Sequence, residues 1–229
     1  MNTKNDCNKY VYFSTYCKIL NMKKYILTVF IVTFIISTTN GQSKLTKLNS
    51  MKTIETATIA NGCFWCTEAI FQLLNGVESV TSGYTGGTLK NPTYKEITSG
   101  KTGHAEAIQI KFDTSKITFV EILEVFFSTH DPTTLNRQGY DVGTQYRSAI
   151  FYNSETQKNE AEAFINVLSE ANVFDKPIVT EVTKLDVFYE AENYHQNYYN
   201  NNKTQGYCVA VINPKLEKFL KQFKSKIKQ

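Results

Sequence analysis

Metal chemistry is poorly provided for in this sequence. It has three histidines among 229 residues, and one Cys-x-x-Cys pair, Cys63 and Cys66, with nothing at zinc-ligand spacing to complete a tetrahedral set. An excess of one charge is missing too. The formal net charge is +4, yet residues 1–41 hold five lysines and one aspartate, which leaves twenty basic and twenty acidic residues in the remainder. A neutral body offers no clustered basic face and excludes nucleic-acid binding as the main activity. The apolar run at 25–36 falls short of the roughly 20 residues that span a bilayer. Internal repeats and long low-complexity tracts are absent as well. With 41% hydrophobic residues, the chain can bury a core.

The 25–36 run has another explanation. From Met22 the chain reads M-K-K-Y-I-L-T-V-F-I-V-T-F-I-I-S-T-T-N-G: two lysines, an apolar stretch, then small and polar residues. That is a secretory signal pattern, so export to a periplasmic or extracellular space is expected. An uncleaved membrane anchor is the alternative. Residues 1–21 read as an upstream extension or mis-assigned start, 22–41 as the signal peptide, 42–52 as a linker and 53–229 as one compact domain. The mature chain then holds Cys63, Cys66 and Cys208, and an odd count in an exported protein points to a reactive thiol.

Periodicity predicts strands at 56–60, 77–84, 105–112, 148–152 and 178–182. It predicts helices at 68–74, 118–128, 155–169 and 215–227, with one or two helical turns at 92–97. The order over 56–152 fits a split βαββαβ, ferredoxin-like α+β sandwich with additional helices and a long C-terminal coil.

Cys63 falls between the first strand and the first helix. A helix N-terminus carries unpaired N–H groups and partial positive charge, so the thiol there is expected to have a lowered pKa and to act as a nucleophile. Several readings are open on the residues alone. Cys63 and Cys66 fit a thiol–disulfide oxidoreductase pair, although such pairs enclose small or polar residues and this one encloses Phe64 and Trp65. They also fit a structural bridge in a binding domain. The remaining reading is a nucleophile that attacks an apolar substrate atom held by the two aromatics.

G-C-F-W-C-T-E at 62–68 resembles the signature of the A-type peptide methionine sulfoxide reductases. S-G-Y-T-G-G at 82–87, G-H-A-E-A at 103–107, H-D-P-T at 130–133, Y-D-V-G-T-Q-Y-R-S at 140–148, E-N-Y-H-Q at 192–196 and G-Y-C at 206–208 continue the resemblance in order. It covers about 55–220. It implies reduction of methionine S-sulfoxide, free or in proteins. Cys63 would be the catalytic thiol and Phe64 and Trp65 the wall that binds the S-methyl group. Glu106 would be the acid, with Tyr84 and Tyr146 as phenols on the sulfoxide oxygen. Asp141 would lie near the thiol, and Cys66 and Cys208 would be the resolving thiols, with Cys208 on a flexible loop. No bound cofactor is expected; an external thioredoxin-like dithiol closes the cycle, and the protein is expected to be a monomer. His104 and His195 are read as structural.

Overall fold

The computed structural model of the chain describes residues 52–229. The predicted extension, signal segment and nearly all of the linker lie outside the described residues. Strand β1 (Ile54–Asn61) leads into helix α1 (Phe64–Phe71), followed by β2 (Val77–Thr85), the short helix α2 (Tyr94–Ile97) and β3 (Ala105–Asp113). Then come α3 (Phe119–Thr129), a small hairpin of β4 (Arg137–Gln138) and β5 (Asp141–Val142), β6 (Ser148–Tyr152) and α4 (Glu155–Glu170). The chain ends through β7 (Glu181–Lys184), β8 (Tyr189–Glu190), α5 (Tyr198–Asn201), a π-helical turn (Cys208–Ile212) and α6 (Asn213–Gln222).

The main sheet runs β7-β6-β1-β3-β2-β8. Its inner four strands, β6-β1-β3-β2, are antiparallel throughout, which is the ferredoxin-like order predicted above. β7 is added parallel to β6 on one edge and β8 antiparallel to β2 on the other. The sequence places the last edge strand at 178–182; it pairs only from Glu181 on.

Side-chain alternation divides the sheet into two unlike faces. Ala57, Ile59, Ile108, Ile110, Phe112 and Ile150 join the large core with α1, α3 and α4. Ala60, Ala105, Ala107 and Ala149 form a flat second face, covered by Leu185 and Phe188 as the chain passes toward β8. Glu106 alternates with Ala105 and Ala107 and registers with Tyr84 across the strands. It therefore shares the face of Ile108 and Ile110, beneath α1. A carboxyl is thus carried into the apolar side of the sheet by strand geometry alone.

Helix α1 begins at Phe64, earlier than the predicted 68, and is buried nearly all round. That burial explains why it lacks a clean amphipathic period. Thr118 and Glu121 close a reciprocal capping box on α3. Lys226 then bridges Glu121 and Glu124 at 2.9 and 3.0 Å, and the Asn75 N–H donates to the Lys226 carbonyl at 2.8 Å. The chain terminus is thereby fastened beside the end of α1.

Gly62 makes the turn from β1 into α1 with φ +100, and a Cβ there would stand 2.7 Å from Gln138 Cβ and Cγ. Gly62→Ala combines backbone strain with that clash and is expected to cost about 1–3 kcal/mol. Urea denaturation would read this as a lower midpoint; an unchanged midpoint would mean that the turn relaxes freely.

Candidate active site

Cys63 is the N-cap residue of α1, as the sequence predicts, with no side-chain cap of its own. The first free amide of the helix, Phe64 N–H, donates to Glu106 Oε2 at 3.1 Å. Glu106 is 1% exposed. Leaving a charged carboxylate in so dry a place costs several kcal/mol, more than one amide bond returns. Burial accordingly pushes the Glu106 pKa up to about 8; the Phe64 amide pulls it down, and Asp141 and Cys66 push it further up. At neutral pH Glu106 carries a proton.

The same arrangement corrects the expectation for Cys63. The helix amide that was to stabilise its thiolate is occupied by Glu106. Burial raises the Cys63 pKa well above the ordinary thiol value, and the contact with Cys66 raises it further. Cys66 shifts the other way, lowered first by its hydrogen bond with Cys63, against burial. The two sulfurs are hydrogen-bonded at the start of the helix, with Cys63 as the protonated partner. All three described cysteines are free.

Phe64 and Trp65 form an aromatic wall, and the structure adds members to it. His195 stands 5.0 Å from the Phe64 ring, and Trp65 Nε1–H donates to His195 Nδ1 at 3.0 Å. That bond fixes the proton of the neutral imidazole on Nε2, and burial lowers the His195 pKa, which keeps the ring neutral. Tyr198 stacks on Trp65 at 3.7 Å. His195 is buried among these rings and packs with Phe64 and Trp65. His104 lies elsewhere: its Nδ1 accepts from Gly87 N–H and its Nε2 meets the Leu89 carbonyl, holding the glycine loop after β2.

Of the two predicted phenols, Tyr146 is in place and Tyr84 is committed elsewhere. Tyr84 is fully buried and its hydroxyl donates to Glu192 Oε2 at 2.8 Å. The other Glu192 oxygen accepts from Tyr94 N–H at 2.9 Å. Tyr84 thus serves to seat Tyr94, which the sequence reading passed over. Tyr94 and Tyr146 are half-buried, and both feel Glu106 and Cys63 electrostatically. Burial foremost, then those groups, raises both pKa values, so both phenols stay neutral donors. Among the described residues neither hydroxyl is engaged by another group. Only its position, opening a four-residue helix with its own capping box at Thr93, marks Tyr94 in the sequence.

Asp141 sits on the opposite side. Its Oδ2 accepts from the Tyr207 hydroxyl at 2.8 Å, and that hydroxyl lies 3.9 Å from Cys66 Sγ. Tyr207 precedes Cys208, which is 0% exposed. The predicted flexible loop is instead a π-helical turn that buries Cys208 and Ile212 and leaves Val209 exposed. Cys208 packs with Cys63, Cys66, Ala69 and Ile212, so all three thiols share one apolar cluster. Packing won over the glycine- and asparagine-rich sequence that precedes it.

A paired thiol beside a protonated acid, two neutral phenols and an aromatic wall define a class, a cysteine-based oxidoreductase. Comparison with known proteins makes the family definite. The model of the peptide methionine sulfoxide reductase family matches residues 55–227, and the chain belongs to that family. It is 53% identical over 174 residues to the peptide methionine sulfoxide reductase MsrA of Trichodesmium erythraeum, covering 76% of this chain and 98% of the relative. It is 55% identical over 168 residues to that of Leptospira borgpetersenii, covering 73% and 94%. Reduced Mxr1 from Saccharomyces cerevisiae superposes with TM-score 0.64 at 34% identity, over 68% of this chain and 89% of that one. Methionine sulfoxide reductase A of Corynebacterium diphtheriae does so with TM-score 0.60 at 33% identity, over 71% and 82%.

The two tyrosines separate in experiment. Tyr94→Phe is expected to lower kcat for sulfoxide reduction about 10- to 100-fold with little change in stability. Tyr84→Phe leaves a Glu192 oxygen without its donor and is expected to cost about 1–3 kcal/mol in denaturant unfolding. The reverse pattern would return the oxygen-binding role to Tyr84.

Proposed function

We propose that this protein reduces methionine sulfoxide, free or within polypeptides, and that the protonated Glu106 beside the Cys63 pair is the observation that carries the reading. The sulfoxide oxygen leaves only when protonated, and a carboxylic acid with a pKa of about 8 still holds its proton at pH 7. The S-methyl group rests on Phe64 and Trp65, and the phenols of Tyr94 and Tyr146 hold the oxygen. Cys63 Sγ attacks the substrate sulfur, and its thiol proton replaces the one that Glu106 gives to the oxygen. Oxygen passes to Cys63 with the proton from Glu106, the substrate sulfur gains two electrons, and Cys63 becomes a sulfenic acid. Preference for the S epimer rests on the family resemblance.

A second thiol then attacks the sulfenic sulfur, forming a disulfide and releasing water. Contact with Cys63 and a lowered pKa favour Cys66 for this step. Cys208, in the same cluster, takes the disulfide onward. An external thioredoxin-like dithiol regenerates the thiols by exchange, so no bound cofactor is required. The pattern at 22–41 supports export, and the neutral body supports a protein that does not bind nucleic acid.

Single turnover tests the whole scheme. The reduced protein, mixed with one equivalent of N-acetyl-methionine sulfoxide and no reductant, is expected to release one N-acetyl-methionine and lose two thiols. Cys63→Ser abolishes both, and Glu106→Gln slows release about 10²- to 10⁴-fold. Cys208→Ser still loses two thiols, whereas Cys66→Ser accumulates a dimedone-trappable sulfenic acid. No N-acetyl-methionine from folded protein with free thiols would sink the reading in favour of a disulfide oxidoreductase. Full disulfide formation in Cys66→Ser would make Cys208 the first resolving thiol.

A further inference from the structure

The cysteine site accounts for one side chain of a substrate, and exposed apolar residues lie beyond it. Tyr140 is 96% exposed, Leu135 68% and Val142 64%, and all three lie on the loop and hairpin at 135–142. This hairpin is firmly held. Its inward pair is Gln138 and Asp141: Gln138 lies against Gly62 and hydrogen-bonds the Asp131 backbone at 3.2 and 3.1 Å, while Asp141 accepts from Tyr207. Its outward pair is Arg137 and Val142, and Arg137 Nε donates to the Gly139 carbonyl at 2.8 Å, bracing the turn. Gly139, with φ +61, makes that turn and leaves Tyr140 at the tip. A short hairpin needs no exposed aromatic there for its own stability.

A second exposed aromatic stands across the wall residues. Tyr194 is 61% exposed and its ring lies 4.1 Å from His195, which in turn stands on Phe64. Both rims are thus tied to the groups that bind the substrate: one through Asp141 and Gly62, the other through His195. The exposed surface beside the resolving Cys208 is slighter, with Val209 next to it.

We infer that the hairpin bearing Leu135, Tyr140 and Val142 is a docking surface for the residues that flank methionine sulfoxide in an extended polypeptide. The inference rests on the reading of the site as a methionine sulfoxide reductase. Its occupant is a segment with apolar side chains, because Leu135, Tyr140 and Val142 offer it exposed apolar contact beside the site's own Asp141, while the one exposed guanidinium, Arg137, has its Nε on the Gly139 carbonyl. A folded protein with its methionine in a packed core could not lie across it. Unfolded or locally opened chains could.

The ratio of kcat/KM for a short peptide, with methionine sulfoxide between leucine and phenylalanine, to that for N-acetyl-methionine sulfoxide reads this directly. With dithiothreitol as reductant, the double substitution Tyr140→Ser and Val142→Ser is expected to lower the ratio about fivefold or more. Leu220→Ser, an exposed site on α6, serves as control and keeps the wild-type ratio. An unchanged ratio in the double variant overturns the inference. So does a loss seen equally with both substrates and only when a thioredoxin is the reductant, which would assign the hairpin to the reductant. Failure of the wild-type protein to reduce N-acetyl-methionine sulfoxide at all would instead strike the reading of the site.

Discussion

The hydrogen bond from the Phe64 amide to the Glu106 carboxyl joins the two halves of this molecule at the point where chemistry occurs. It brings a strand residue from the apolar face of the sheet to the N-terminus of a buried helix. Nothing else in the dry interior compensates a charge on Glu106, so the acid stays protonated through neutral pH. Burial first, then the contact with Cys66, holds the Cys63 pKa well above the ordinary thiol value, and burial likewise holds the proton on Glu106. The acid and the nucleophile thus sit in one dry place at one helix end.

Around this bond the structure builds a second layer from the long C-terminal passage. Glu192 receives the Tyr84 hydroxyl and the Tyr94 amide, His195 receives the Trp65 indole N–H, and Glu68 receives the Asn197 amide. The segment that holds them contains little regular structure. Its order comes from these side-chain bonds to α1 and β2, so it reads as coil in the sequence yet works as the outer wall of the pocket. Cys208 closes the same passage from within the cluster of thiols.

The ferredoxin-like core was legible because its strands alternate cleanly and its longer helices carry caps and apolar stripes. Glu106 was legible only through the resemblance carried by G-H-A-E-A: on the strand pattern alone it reads as an ordinary solvent-facing residue, and only tertiary packing under the first helix buries it. The start of α1 was less so, since a helix buried on all sides has no period to read. Tyr84 and Tyr94 could not be told apart by composition among 14 tyrosines; a hydroxyl bond to Glu192, 108 positions away, decides between them. Cys208 looked mobile because asparagine, glycine and threonine precede it, and only tertiary packing buries it. The exposed hairpin left no mark in the sequence at all, because Tyr140 is indistinguishable there from a core tyrosine.

The central claim is the protonated state of Glu106, and titrating that carboxyl directly is the measurement that bears on it most closely. Isotope-edited infrared spectroscopy of the reduced protein, with Glu106→Gln to assign the band, would follow its carbonyl stretch against pH. The account predicts a protonated acid that persists through neutrality and ionises near pH 8. Ionisation in the ordinary glutamate range, at about pH 4 to 5, would contradict it and would require another proton donor for the departing oxygen.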